Sequence, residues 1–206
     1  MDMITEDTYG IYDKAYQYLN KNLFFGELPG VLITFKRMRG NFGSFHRDSF
    51  INVETGEKIC EISLNPEEFK NRSNKEVLST LAHEMVHFKQ FIMGDSPPKS
   101  EYHNIEWATM MKDIGLYPSD TGRPDGKETG RRVNHYIVPD GKFDKIAEEF
   151  LKMFALIKYQ GVVKVPKEKK KNLSKFVCPS CGQFVLGKEQ TSVICDNCHE
   201  KMATSD

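Results

Sequence analysis

An α+β protein is predicted from this sequence, and three observations carry the prediction. A helix-patterned opening segment is followed by several short β-rich runs, not by a regular alternation of strand and helix. A strongly capped helix then carries His83-Glu84-Met85-Val86-His87. Two C-x-x-C pairs lie near the C-terminal end, behind a lysine-rich stretch.

Residues from about 5 to 22 read as an amphipathic helix, with Ile11, Ala15, Tyr18 and Leu19 near one face. The turn signal Gly26-Glu27-Leu28-Pro29-Gly30 leads into the β-rich run Val31 to Phe35. Gly43 to His46 and Ile59 to Leu64 are further strand candidates, and Phe50 to Val53 is another, stopped by Thr55-Gly56-Glu57. Ser73-Asn74-Lys75-Glu76 matches a capping box, in which the serine accepts a backbone N–H and the glutamate reaches back. From there Val77, Leu78, Leu81, Ala82, Met85, Val86, Phe88 and Ile92 sustain a helix that Gly94 can stop. Pro97-Pro98 marks a loop, and a second helix is expected over about 104 to 114, closed by Gly115. The Gly/Pro/charge-rich stretch 117 to 132 reads as loop, 135 to 138 as a short strand and 143 to 159 as a helix. Residues 164 to 175 hold six lysines and one glutamate and read as a solvated linker. The expected organisation is a core over 1–160 with an insertion after about 115, a linker over 161–175, and a cysteine module over 176–206.

The 206 residues suffice for one ordinary domain and a small satellite. With 39% hydrophobic and 28% charged residues, the composition is that of a soluble globular chain and not of a disordered one. Lys plus Arg equals Asp plus Glu, so whole-chain charge gives no argument for nucleic acid or a membrane surface. No apolar run approaches the roughly 18 residues that a bilayer span requires. The acidic start Met1-Asp2-Met3-Ile4-Thr5-Glu6-Asp7 does not read as a signal peptide. An intracellular location is therefore expected, cytoplasmic in a prokaryote or virus, with the nucleus open to a eukaryotic chain. In a reducing compartment, paired cysteines point to metal before disulfide. Cys60 stands alone in an apolar run and reads as a small buried hydrophobe.

The His-Glu-x-x-His spacing has a physical meaning. Residues four apart on a helix project from one face, one turn apart, so both imidazoles can bind a single ion at about 2.0–2.1 Å. Glu84 lies beside them without having to ligate, placed to take a proton from a metal-activated water and pass it on. A catalytic zinc takes three protein ligands and keeps one position open. The continuation H-x-x-G-x-x-H is absent, because Gln90 stands at the glycine position. The third ligand must come from a neighbouring element, where His103, Glu101 and Glu106 are the candidates.

Several stretches resemble the SprT-like metallopeptidases, the group that includes the eukaryotic protease Spartan. Leu23-Phe24-Phe25-Gly26-Glu27-Leu28-Pro29 resembles the family's entry into its first strand, and Ile62-Ser63-Leu64-Asn65 the strand before the active helix. Leu81-Ala82-His83-Glu84-Met85-Val86-His87 resembles the catalytic helix itself. His103-Asn104-Ile105-Glu106-Trp107 resembles the family's H-x-x-E-aromatic segment, whose histidine is the third ligand. The likeness covers about residues 9 to 115, plus the cysteine module that many members carry. It implies a zincin-like metallopeptidase core, a small sheet packed with the H-E-x-x-H helix. It favours His103 over Glu106 as ligand and leaves Glu106 as a carboxylate that could orient a ligand histidine. Residues 117 to 159 have no placed counterpart; Arg131, Arg132, His135 and Tyr136 within them read first as structural or surface residues.

Cys178-Pro179-Ser180-Cys181 and Cys195-Asp196-Asn197-Cys198 are separated by 13 residues. Two such knuckles joined by a hairpin make a tetrahedral four-cysteine zinc ribbon, closed and structural. His199 could compete as a ligand, although four cysteines suffice. Lys167, Lys169, Lys170, Lys171 and Lys175 could attract phosphates, and the resemblance extends this to DNA, because Spartan-type members act on proteins attached to DNA. The expectation is thus a zinc peptidase with one catalytic and one structural Zn2+, acting on protein or peptide. The rival is a DNA-binding or transcription-associated zinc protein with a vestigial site, which the intact Glu84 argues against.

Overall fold

A computed structural model describes residues 3–96, 102–162 and 173–205. The chain divides into two compact units, Met1–Val162 and Val163–Asp206.

In the first unit, helix α1 (Ile4–Leu23) precedes three strands, β1 (Leu32–Phe35), β2 (Gly43–Ile51) and β3 (Lys58–Leu64). They form one sheet in the order β1-β3-β2, with β1 parallel and β2 antiparallel to the central β3. The two strand candidates at 43–46 and 50–53 are one strand, β2, whose register shifts between His46 and Phe50. The irregularity coincides with Asp48 at φ 49°, a backbone position that breaks a simple two-residue alternation.

Helix α2 (Asn74–Met93) starts where the capping box placed it: Ser73 Oγ accepts the Glu76 N–H at 3.2 Å, and the Ser73 N–H donates to Glu76 Oε2 at 2.7 Å. Unlike an amphipathic surface helix, α2 is buried round most of its circumference. Val77, Leu78, Leu81, Ala82, Met85 and Val86 are each sealed from solvent, packed with Tyr12, Tyr16 and Leu19 of α1 and Ile62 and Leu64 of β3. Polar residues on this helix are therefore carried into the interior as well.

Helix α3 (Ile105–Asp113) opens on Asn104, whose side chain accepts the Trp107 N–H. The stretch expected as loop after it contains a strand, β4 (Leu116–Ser119), paired antiparallel with β5 (Asn134–Ile137). Pro118 disguised it. In a two-stranded sheet each strand has a free edge, so a residue without an N–H is tolerated opposite His135. Helix α4 (Lys142–Met153) ends before the expected Tyr159, because Phe154 turns extended at φ −141°, ψ 135°. The following segment docks on α2, where Asn74 Oδ1 accepts the Ile157 N–H at 2.7 Å. Phe143, Ala147 and Phe150 of α4 join the main core, so residues after 115 complete the unit and are not an appendage to it.

The second unit is a three-stranded antiparallel sheet of β6 (Ser174–Val177), β7 (Phe184–Gly187) and β8 (Ala203–Ser205), in the order β7-β6-β8. Strand β6 starts inside the stretch expected as linker. Lys175 sits in that strand, its Nζ 4.6 Å from the centre of the Phe184 ring. Lys167, Lys169, Lys170 and Lys171 lie outside the described residues, as does Glu101.

Replacing Ser73 by alanine removes the acceptor for the Glu76 N–H and is expected to lower the stability of the first unit by about 1 kcal/mol. The shift in urea midpoint, followed by fluorescence of Trp107, the chain's one tryptophan, measures it. An unchanged midpoint would remove the cap from the account of why α2 begins here.

Candidate metal centre and active-site cleft

His83 and His87 project from one side of α2, and a third ring, that of His103, reaches them from the segment leading into α3. The Nε2 atoms of His87 and His103 are 3.2 Å apart, and those of His103 and His83 are 3.4 Å apart. One ligand atom from each of the three lies within 4.8 Å of the others. A tetrahedral ion with Zn–N bonds of about 2.0–2.1 Å spaces its nitrogens about 3.3–3.4 Å apart, so the ring nitrogens already stand along the edges of such a tetrahedron.

The protonation of His103 agrees. Its Nδ1 lies 3.0 Å from the carbonyl oxygen of Gly130, which can only accept, so Nδ1 carries a hydrogen, and in the neutral, metal-binding form of the ring Nε2 is then the lone pair. Gly130 also exchanges two backbone hydrogen bonds with His103, at 2.9 and 3.0 Å, and holds the residue rigidly although it precedes the helix. Its φ of 141° is a conformation that favours glycine. Beneath all three rings lies the fully buried indole of Trp107, whose centroid is 4.9 Å from His83, 5.2 Å from His87 and 4.2 Å from His103.

Burial decides the charge state of the rings. Dehydration, followed by the neighbouring His87, His135 and His103, holds the His83 pKa well below its ordinary value. Dehydration, then His103, takes His87 down to about 3. His83 and His87 are therefore neutral at physiological pH, the form in which imidazole binds metal.

Glu84 is buried on the same turn, and Gly43 at the start of β2 explains how it fits. A Cβ at position 43 would stand 2.9 Å from Thr80 Cγ2, 3.0 Å from Glu84 Oε1 and 3.1 Å from Glu84 Cγ. Glycine lets the strand approach the helix and leaves the carboxylate its place. The histidines and Glu84 line a cleft of about 1080 Å³. Residues 42–47 of β2 and its approach form one wall, and residues 131–135 form another. The charged side chains along it are Lys36, Arg39, Arg47, Arg131 and Arg132 against Glu61 and Glu84, a strongly basic lining.

Two expected roles need revision. Glu106 does not orient a histidine: its Oε2 accepts from Gln90 Nε2 at 2.7 Å and its Oε1 from the Asp95 N–H at 2.6 Å. These bonds, Gln90 first, lower its pKa and tie the end of α2 to α3. His135, set aside in the sequence reading, is in the site, with its Nδ1 3.1 Å from His83 Nδ1 and its Nε2 2.9 Å from Ser79 Oγ. Burial of the ring, then Arg72, takes its pKa to about 3. Only the pairing of β5 with β4 brings it there, and no spacing rule in the sequence signals that.

In the second unit, Cys178, Cys181, Cys195 and Cys198 present their sulfurs within 4.8 Å of one another. Cys181 and Cys195 are 3.7 Å apart, against about 3.8 Å for the edge of a tetrahedron with Zn–S bonds of 2.3 Å. Tight turns shape both knuckles: Gly182 N–H donates to Cys178 O at 3.0 Å and His199 N–H to Cys195 O at 2.7 Å. Backbone N–H groups of Cys181, then Ser180, pull the Cys178 thiol down to about 7, toward the ligating thiolate. Both the three-histidine and the four-cysteine groups fit zinc.

The SprT-like family model matches residues 12–124, more than half the chain and inclusive of all three histidines. The chain belongs to the SprT-like family. An uncharacterized protein in the mucB 3' region of Salmonella typhimurium is 34% identical over 62 residues, which is 30% of this chain and 84% of that protein. The SprT-like match includes α2 and α3 but stops short of β5, so His135 lies beyond the matched residues. Membership brings a metallopeptidase-like domain, and the α+β architecture agrees with it. Among the described residues no helix is long and apolar enough to cross a membrane.

The neutral histidines make a pH prediction. An unfolded imidazole binds a proton near pH 6.5, whereas His87 and His135 in the folded protein do so only near 3. Between those values the unfolded state holds more protons, so stability is complete above about pH 6.5 and falls as pH is lowered, with a slope approaching 1.4 kcal/mol per pH unit per histidine, on the order of magnitude. Chelator-treated protein should therefore unfold at progressively lower urea from pH 6.5 to 5, a range above the carboxylate titrations. A flat profile would show that these rings are not held neutral.

Proposed function

We propose that this SprT-like chain is a zinc-dependent peptidase, and the observation that carries the proposal is the convergence of three Nε2 atoms beside a buried glutamate. His83, His87 and His103 would hold a catalytic zinc, and Cys178, Cys181, Cys195 and Cys198 a structural one. When bound, the catalytic ion supplies Lewis-acid polarisation of a carbonyl and acidifies water for attack.

The remaining work falls to the chain's own groups. As general base, the Glu84 carboxylate takes a proton from the attacking water; as general acid it returns that proton to the amine nitrogen as the C–N bond breaks. Strand β2, at the edge of its sheet and along the cleft, offers unpaired backbone groups to an extended polypeptide. Gly130, by hydrogen bonds, and Trp107, by ring contact, hold His103 in place beside His83 and His87.

The basic lining supports a substrate, or a partner attached to it, that carries negative charge. On that support the proposal extends to proteins associated with DNA. Lys175 would contribute from the second unit, together with lysines outside the described residues.

The test is proteolysis of a basic DNA-binding protein, and of the chain itself, with and without single-stranded DNA. Glu84→Gln should lower peptidase activity by about 10²–10⁴-fold while zinc content and any DNA affinity persist. Wild type and variant behaving alike in a zinc-loaded preparation would favour the binding-module reading. Cleavage indifferent to DNA would keep the peptidase and remove the DNA-associated substrate. A second variant probes the placement of the base. Gly43→Ala crowds Glu84 without touching a ligand, and kcat is expected to fall by about 10²-fold with zinc affinity unchanged; an unaltered kcat would mean that Glu84 is not positioned by this approach of β2.

A further inference from the structure

A chain of hydrogen bonds runs from the backbone of α2 to Nδ1 of His83, the nitrogen turned away from the other two histidines, and its direction is fixed at its far end. Ser79 Oγ lies 2.8 Å from the carbonyl oxygen of Glu76, which can only accept, so the hydroxyl donates there. The serine oxygen then accepts at its other contact, 2.9 Å from His135 Nε2, and that nitrogen must carry the hydrogen. A neutral His135 protonated on Nε2 has a bare Nδ1. That lone pair faces His83 Nδ1 at 3.1 Å, so the hydrogen between them belongs to His83. A neutral His83 protonated on Nδ1 has its bare lone pair on Nε2, the nitrogen 3.4 Å from His103 Nε2. In a neutral His103 the lone pair is likewise on Nε2, because the Gly130 carbonyl takes the hydrogen of its Nδ1. Two lone pairs at that separation repel, and a shared cation converts the repulsion into ligation.

We propose that His135 is a positioning residue of the metal site: it fixes the tautomer and ring plane of His83 by accepting from Nδ1, through the relay Ser79–Glu76. Metal-ligating histidines commonly donate their second nitrogen to a carboxylate, a carbonyl or water. Here that acceptor is a neutral imidazole, delivered by β5 from beyond the residues that the SprT-like model matches. The inference rests on the three-histidine zinc reading and is independent of whether the site cleaves peptides.

The test measures metal affinity at the histidines. Cobalt(II) stands in for zinc; quenching of Trp107, in contact with the three rings, reports its binding at the histidines, and thiolate-to-cobalt absorption reports the cysteine site. His135→Phe keeps a ring of similar size without an acceptor and is expected to weaken cobalt binding at the histidines by about 10–100-fold. His135→Asn, whose Oδ1 can stand near the position of Nδ1, is expected to recover most of that loss; a residue that only filled space would be better replaced by Phe than by Asn. Nitrogen chemical shifts in the zinc-loaded wild type should show His135 protonated on Nε2 and His83 on Nδ1, a reading that needs no variant to fold. Wild-type affinity in His135→Phe, or a His135 protonated on Nδ1, overturns the inference while leaving the zinc site standing. Absence of any cobalt at the histidines of wild type overturns both.

Discussion

Helix α2 has to do two things that oppose each other, and the rest of the first unit is arranged around that conflict. It is the central core helix, with Leu78, Leu81, Met85 and Val86 sealed from solvent, and it also carries two imidazoles and a carboxylate into the same interior. Burying polar groups costs free energy unless each finds a partner. The molecule answers by bringing other groups to them: His135 to His83, His103 (itself held by the Gly130 carbonyl) to His87, and a glycine strand edge that leaves room for Glu84. A three-stranded sheet, a short hairpin and α4 are what it takes to deliver those groups.

The same burial puts the α2 histidines in the form that metal binding requires. An exposed histidine would spend part of its time protonated near neutral pH and would have to lose that proton before binding metal. Dehydration holds His83 and His87 neutral, and the indole of Trp107 packs against both rings without competing as a ligand. The second unit solves the corresponding problem differently. Its knuckle N–H groups lower the Cys178 thiol directly, and its core is small, built round Phe176 and Met202.

How much of this was legible in the sequence follows from the range of the forces involved. Capping and helical spacing are local, and Ser73-x-x-Glu76 with the apolar run behind it placed α2 to within a residue. The histidine pair, Glu84 and the cysteine pairs are likewise short-range patterns, and resemblance supplied His103. What escaped depended on pairing between distant residues. Strand β4 was hidden by Pro118, which a two-stranded sheet permits. The true partner of Glu106 was Gln90, one helix away, not a histidine. His135 could be assigned only once β5 was known to lie against β4 beside α2.

That last residue bears on where such a site ends. The residues matching the SprT-like model contain the three histidines and Glu84, yet Gly130 and His135, which hydrogen-bond to His103 and His83, both come later. Ligand chemistry demands particular side chains at particular spacing, and so leaves a recognisable pattern. Orientation demands only an acceptor of correct polarity at about 3 Å, which a backbone carbonyl or an imidazole can satisfy equally. A site can therefore keep its ligands within a recognisable segment while the parts that hold them are built from whatever the following chain brings alongside.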